Sequence, residues 1–127
     1  MEIELEKLPH ELTVCKVAAE DCLNLRKTFY FIAKTKNELS LVCRTEDTPE
    51  NTLAREDHWK GFVVRESLDF SLIGILSGIT GVLAENRIGV FAVSTYDTDY
   101  ILVKEDSFDR AARALEDAGY TIYTPSE

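Results

Sequence analysis

The fold is decided by residues 67–104, which read SLDFSLIGILSGITGVLAENRIGVFAVSTYDTDYILVK. The stretch predicts a polar loop, a helix, an apolar strand, a tight turn and a returning strand. Bulky apolar residues recur at the spacing of a helix face that packs on a sheet: Leu72, Ile75, Leu76, Ile79, Val82 and Leu83.

Small residues form a second stripe along the same helix: Gly74, Ser77, Gly78, Gly81 and Ala84. A glycine inside a helix costs about 1 kcal/mol, so the stripe indicates that another group approaches the helix closely. Close helix packing is the interpretation favoured for Gly78 and Gly81. For Gly74, ligand contact and close packing are both consistent with the pattern.

The start of this helix is the candidate ligand site. Unpaired amides around Gly74 are suited to bind a carboxylate. Asp69 or Ser71 is expected to cap the helix, and the alternative of contact with a ligand stays open for both. Asp97 and Asp99 would supply charge for an ammonium group or a cationic side chain, or serve only the local hydrogen bonds of a turn.

The residues that flank the stretch complete a recognisable order. Trp59 to Arg65 is predicted to be a strand, and residues 89–95 an apolar strand in the centre of its sheet. A second helix is expected from Asp106 or Ser107, with Gly119 as its left-handed cap, and Tyr120 to Tyr123 as a final strand. This βαββαβ order predicts an α+β, ferredoxin-like unit with an antiparallel sheet and both helices on one face.

The first half of the chain resembles a reduced copy of the second. Sliding the sequence by 60 residues brings FIAKTKNELSLVCRTE onto FAVSTYDTDYILVKED, so that Thr35 meets Thr95. Strands are predicted at Leu12–Val17, Thr28–Lys34 and Leu39–Arg44, with little room for a helix between the first two. Residues 1–8 are expected to form only an extended lead-in. We therefore predict two tandem ferredoxin-like units, residues 1–58 with reduced helices and residues 59–127 complete.

Composition and charge exclude several classes of protein. The net charge is -9, and we expect neither nucleic acid nor an anionic membrane as a partner because no basic face is predicted. The longest apolar run, Leu72 to Ala84, is too short to cross a bilayer. The acidic N-terminus does not read as a signal peptide, so a cytoplasmic location is expected.

No pattern of catalytic or metal-binding residues accompanies these strands and helices. Cys15, Cys22 and Cys43 are spaced neither as zinc ligands nor as a redox pair. His10 and His58 lie far apart, and no nucleophile lies next to a base. The sequence therefore predicts no catalytic residue, no metal site and no cofactor.

The run DFSLIGILSGITGVLAENRIGVFAVSTYDTDYILVKED resembles the second ACT unit of a small bacterial family of tandem ACT proteins. Residues 94–103, STYDTDYILV, are the most specific part of the resemblance. That family is similar to the ACT regions of aspartate kinases and of eukaryotic cytosolic arginine sensors. The resemblance implies an amino-acid ligand, no catalysis in this chain, and a homodimer built by pairing of ACT sheets.

The resemblance also implies where the ligand lies, between the first helix of one unit and a strand of a neighbouring unit. The implied site consists of Asp69, Phe70, Ser71, Leu72, Ile73 and Gly74, facing Val93, Ser94 and Thr95, with Asp97 and Asp99 supplying charge. The first half lacks the long helix, so we expect no ligand pocket there.

Two functions follow from this interpretation. The leading hypothesis is a regulatory protein that binds an amino acid and passes the signal to an effector protein. The alternative is a dimerising interaction module whose ligand pocket is vestigial.

Overall fold

A computed structural model describes residues 3–65 and 74–125 of the chain. These residues form eight strands and two α-helices: β1 (Glu4–Lys7), β2 (Leu12–Val17), β3 (Tyr30–Lys34), β4 (Leu39–Arg44), β5 (Ala54–Val64), α1 (Ile75–Glu85), β6 (Phe91–Ser94), β7 (Asp99–Lys104), α2 (Phe108–Asp117) and β8 (Thr121–Tyr123). The fold is α+β, as predicted. Neither of the described helices is long and apolar enough to cross a membrane.

The chain divides into two compact units, His10–Trp59 and Met1–Pro9 with Lys60–Glu127. We call them the small unit and the helical unit. The boundary falls inside β5, close to the predicted boundary after residue 58. The N-terminal segment, however, groups with the helical unit, whereas the sequence predicts it at the start of the first unit.

The helical unit contains the predicted βαββαβ order with one extra strand. Its strands lie in the order β6-β7-β5-β1-β8. The extra strand is β1, antiparallel to β5 and parallel to β8, so the sheet is mixed rather than antiparallel. Residues 4–7 are extended, as the sequence predicts, but they form a strand inside the sheet rather than a lead-in to it. Leu5 is fully buried because it lies opposite Val64 on one side and Ile122 on the other.

Both helices of this unit pack on one face of its sheet. Ile79 and Leu83 of α1 belong to the same core cluster as Phe108, Ala111 and Leu115 of α2. The sheet contributes Leu5, Phe62, Val64, Ile101 and Val103 to that cluster. Gly119 follows α2 with φ +104°, which is the left-handed cap that the sequence predicts.

The predicted position of the first strand after α1 is wrong. Among the described residues, β6 pairs only with β7, and its side chains alternate between half-buried and exposed. The buried run is in β7, where Ile101, Leu102 and Val103 are all inaccessible. An apolar sequence alone does not show whether one or both edges of a strand are paired, which is why β6 was expected in the centre.

The small unit repeats this arrangement without α-helices. Its strands lie in the order β3-β4-β2-β5, which is the order of the helical unit when β1 is left out. In residues 10–59, all of which are described, the helical segments are two 3-10 turns, Glu20–Cys22 and Thr45–Asp47. This is the reduced ferredoxin-like unit that the sequence predicts.

The 60-residue repeat is present in the backbone. Adding 60 to the bounds of β4 gives those of β7, and the 3-10 turn Thr45–Asp47 corresponds to the 3-10 turn Glu105–Ser107. The connecting turns match as well, since Thr35 N donates to Glu38 O at 2.9 Å and Thr95 N donates to Thr98 O at 2.8 Å. The strand–turn–strand similarity is therefore structural as well as compositional.

Candidate functional site

The predicted ligand site is only partly described. Asp69, Phe70, Ser71, Leu72 and Ile73 lie outside the described residues. The remaining residues of the prediction occupy defined positions: Gly74 before α1, Val93 and Ser94 in β6, Thr95 and Asp97 in the β6–β7 turn, and Asp99 at the start of β7.

The β6–β7 turn is tied to the end of β5. Thr98 Oγ1 donates a hydrogen bond of 2.9 Å to the carbonyl oxygen of Val64, the last residue of that strand. The chain leaves the sheet there and re-enters the described structure at Gly74. The turn therefore lies beside the end of the strand that precedes α1 in the chain.

Most polar groups of the turn are already used by the turn itself. Ser94 Oγ donates to Asp99 Oδ1 at 2.7 Å, and Thr95 Oγ1 donates to Thr98 O at 3.1 Å. These contacts support the interpretation of Asp99 as a turn residue. Asp97 is different, because it is exposed and its carboxylate forms no hydrogen bond or ion pair with any described residue. Among the described residues of this turn, Asp97 therefore has a carboxylate that a ligand could contact.

The backbone conformation at position 74 favours glycine. Gly74 has a φ of +84°, a region that strains residues with a side chain, and it occupies the N-cap position of α1. An added Cβ would meet no described heavy atom within 4 Å. No side chain of the described structure caps the helix. Within the described residues, Gly74 thus has open space around it and no side chain that caps the helix; ligand contact and close packing both remain open for it.

The other two helix glycines differ from each other. A Cβ on Gly78 would lie 2.9 Å from the hydroxyl oxygen of Tyr120, which confirms close packing there. A Cβ on Gly81 would meet nothing within 4 Å among the described residues, so close packing does not explain this glycine.

The cysteines show no sign of nucleophilic chemistry. Cys15 and Cys43 are buried and Cys22 is half-buried, and all three are free thiols. Burial raises the pKa of Cys15 to about 11, and it also raises the pKa of Cys43. Both thiols are therefore protonated at neutral pH, and the thiolate that a nucleophile requires is not formed.

A polar network that the sequence does not reveal lies in the small unit. Thr13 is fully buried, donates to Asp57 Oδ1 at 2.7 Å and lies 2.9 Å from Thr45 Oγ1. Arg55 Nη2 contacts the same carboxylate oxygen at 2.8 Å. The register shifts between Leu12 and Val14, so that β5 bulges opposite Thr13. The hydrogen bonds from Arg55 and then Thr13 lower the pKa of Asp57, which suits a structural anion rather than an acid–base group.

We expect this network to appear in the acid unfolding of the protein. A carboxylate whose folded pKa is lowered stabilises the fold above its unfolded value of 3.8, and this contribution is lost as the pH falls through the folded pKa. Thr13→Val should therefore be destabilising at pH 7, and the difference in the free energy of unfolding between the variant and the wild type should narrow as the pH falls below 3.8. Urea unfolding followed by circular dichroism, at pH 7 and at a pH below 3.8, measures this difference. Thr28→Val, at an exposed position, is the control, and an equal difference at both pH values would contradict the argument.

The small unit contains a cavity at the repeat position of the predicted site. It has a volume of about 470 Å³ and is lined by the turn Thr35–Glu38 and the residues that follow β2. Lys34 and Glu20 form an ion pair at this cavity. Thr35–Glu38 corresponds to the β6–β7 turn. The cavity is lined by strand residues as well as by the turn Thr35–Glu38. The expectation that the first half has no ligand pocket stays a prediction, because a cavity does not show that a ligand binds.

A model of the ACT domain matches residues 54–117, from the start of β5 to the end of α2. The chain belongs to the ACT domain family. The match includes the loop, α1 and the β6–β7 turn that form the predicted site. A search of curated protein sequences found no match.

Solved structures with the same fold include other ACT-like chains. A protein from Agobacterium tumefaciens is 26% identical with a TM-score of 0.87, and the alignment covers 100% of this chain and 96% of that one. Aspartate kinase from Synechocystis is 14% identical with a TM-score of 0.67, covering 98% of this chain and 28% of the kinase. Aspartate kinase from Clostridium acetobutylicum, described as an allosteric enzyme, is 11% identical with a TM-score of 0.63, covering 91% and 34%. The ACT protein thus shares its fold with part of aspartate kinases, which confirms the predicted resemblance.

Proposed function

We propose that this ACT protein is a non-catalytic regulatory protein that binds an amino acid at the start of α1. The observation that carries the proposal is the ACT match over residues 54–117, the segment that contains the predicted site. The hydrogen bond from Thr98 to Val64 supports it, because it holds the β6–β7 turn beside the strand that leads to the helix.

The chemistry of the described residues suits the two charged groups of an amino acid. Among the described residues, no side chain caps the first amides of α1, which are suited to a carboxylate; the positive end of the helix dipole also favours one. The Asp97 carboxylate, which no described residue contacts, suits an ammonium group or a cationic side chain. Asp99 is less suited, since Ser94 already donates to it.

The regulatory part of the proposal rests on the fold of the neighbours. Part of an aspartate kinase described as allosteric has this fold, and we propose that this module passes its signal to an effector protein. We also propose a homodimer in which the outer edge of β6 pairs with a second copy, because within the described chain β6 pairs only with β7. That edge equally favours the alternative of a dimerising interaction module with a vestigial pocket.

A thermal-shift screen of the twenty amino acids separates these two functions. A ligand at 100 times its Kd adds about 2.7 kcal/mol to the free energy of unfolding. At this chain length, such a gain should raise the Tm by several degrees. Amino-acid binding is overturned if no amino acid changes the Tm. If analytical ultracentrifugation then shows a dimer, the interaction module remains.

Gly74→Asn tests the position of the site. Asparagine tolerates a positive φ better than other residues, so we expect destabilisation of less than about 1 kcal/mol, whereas valine would add backbone strain. The asparagine side chain would extend into the space that the described residues leave open before α1. It should abolish the rise in Tm caused by the ligand found in the screen. Gly119→Asn, also at a positive φ but after α2, is the matched control and should retain the shift. Retention of the shift in Gly74→Asn would place the ligand elsewhere.

A further inference from the structure

The helical unit contains a cavity beside Lys60 of β5, four residues before Val64, whose carbonyl oxygen the β6–β7 turn contacts. Its volume is about 500 Å³, within the range of small-molecule sites. Lys7 and Lys60 line it together with Phe108, the first residue of α2. Lys60 precedes Val64 by four residues, which corresponds to about 13 Å along a strand. The cavity is therefore separate from the proposed amino-acid site.

The register of the sheet brings the two lysines together. Lys7 lies opposite Phe62 in the β1–β5 pair, and Leu8 N donates to Gly61 O at 2.8 Å. Lys7 and Lys60 are thus diagonal neighbours on the same face of the sheet. Their Nζ atoms lie 5.7 Å and 5.0 Å from the centroid of one ring, that of Phe108.

The ring below the lysines is held in place by the core. Phe108 is only 5% exposed and stacks on Phe62, with ring centroids 4.7 Å apart and an interplanar angle of 18°. The two ammonium groups therefore lie over a fixed apolar surface. Pro9 and Pro125 also line the cavity and add apolar surface to it.

The two ammonium groups at this cavity have no ion-pair partner among the described residues. Among residues 3–65 and 74–125, no carboxylate lies within 4.0 Å of either Nζ, although the chain carries a net charge of -9. Asp109 lines the cavity without pairing to either lysine. Two like charges at one cavity repel each other, and an anion between them would relieve that repulsion. The ammonium group of lysine is a compact charge that binds oxyanions readily.

We propose that this cavity binds a small organic oxyanion with a compact apolar body, held between Lys7 and Lys60. The oxyanion would contact the two ammonium groups, and the apolar body would pack against the prolines. Phosphate monoesters and carboxylates share this chemistry. The proposal does not depend on the amino-acid site at the start of α1.

Titration with phenyl phosphate, and separately with benzoate, tests the proposal by ¹H–¹⁵N correlation spectra of the whole chain. We expect saturable shifts centred on the amides of Leu8, Gly61 and Phe108, and no such shifts with phenol, which lacks the charge. The arm with the lower Kd identifies phosphate or carboxylate as the preferred group. Lys7→Gln and Lys60→Gln should each raise that Kd about tenfold. Lys36→Gln, at an exposed lysine of the small unit, should leave it unchanged.

The variants also show what would overturn the proposal. The double variant with both lysines replaced by glutamine should keep the wild-type circular dichroism, because neither ammonium group is buried in the core. Binding with unchanged Kd in that folded variant would overturn the site, as would the absence of saturable shifts for both probes at 10 mM, roughly the weak limit of specific binding. Shifts confined to the start of α1 would also overturn it, while leaving the proposed function intact.

Discussion

Leu5→Ala is expected to lower the free energy of unfolding by about 2–5 kcal/mol, the range found when a buried leucine leaves a cavity. Leu5 is fully buried in the core cluster of the helical unit, and β1 is hydrogen-bonded on both sides. Collapse around the missing atoms is restricted because both neighbouring strands are held in register. Urea unfolding followed by circular dichroism measures the loss.

The matched control is Leu25→Ala, which removes the same atoms from a side chain that is 73% exposed. Its effect should be within about 0.5 kcal/mol, as for most surface substitutions. Equal stability of the Leu5 and Leu25 variants would mean that β1 does not lie inside the sheet. A large loss in the first variant alone would support the unexpected topology.

The sequence does not predict β1 because the partners of this strand lie far away in the chain. The hairpins were predicted well because their partners are adjacent in the chain: β3 with β4, and β6 with β7. The partners of β1 are residues 62–64 and 121–123, at least 55 positions away. Alternation of Ile3 and Leu5 indicates an extended segment but contains no information about which strand it joins. The same limitation led to the central position expected for β6.

At the candidate site, too, the sequence indicates the local features but not the contacts between distant residues. The spacing of small residues pointed to Gly74, and helix chemistry pointed to free amides near it. The left-handed φ of Gly74 has no signal in the spacing of the small residues, because that spacing reports only which face of the helix a residue lies on. Thr98 was not singled out, because its hydrogen bond to Val64 joins residues 34 positions apart. The Thr13 network was missed for the same reason.

Gly61→Ala should destabilise the protein by about 1–3 kcal/mol, the usual cost of overpacking. An added Cβ would lie 2.5 Å from Leu102 Cδ2, 3.0 Å from Leu8 Cδ1 and 3.1 Å from the carbonyl oxygen of Ile101. Leu102 is fully buried and its strand is paired on both edges, so the side chain has little room to move. Gly89→Ala is the matched control, since its Cβ would meet no described atom within 4 Å.

A double variant shows whether the loss of stability comes from the clash with Leu102 or would follow any substitution at position 61 of β5. Leu102→Val alone should cost about 1 kcal/mol through lost packing. Because valine lacks the atom that clashes, Gly61→Ala should cost less in the Leu102→Val background than in the wild type. Additive losses of the free energy of unfolding in urea would contradict the clash. Part of the destabilisation by Gly61→Ala should persist in the Leu102→Val background, because the carbonyl oxygen of Ile101 belongs to the backbone and does not change.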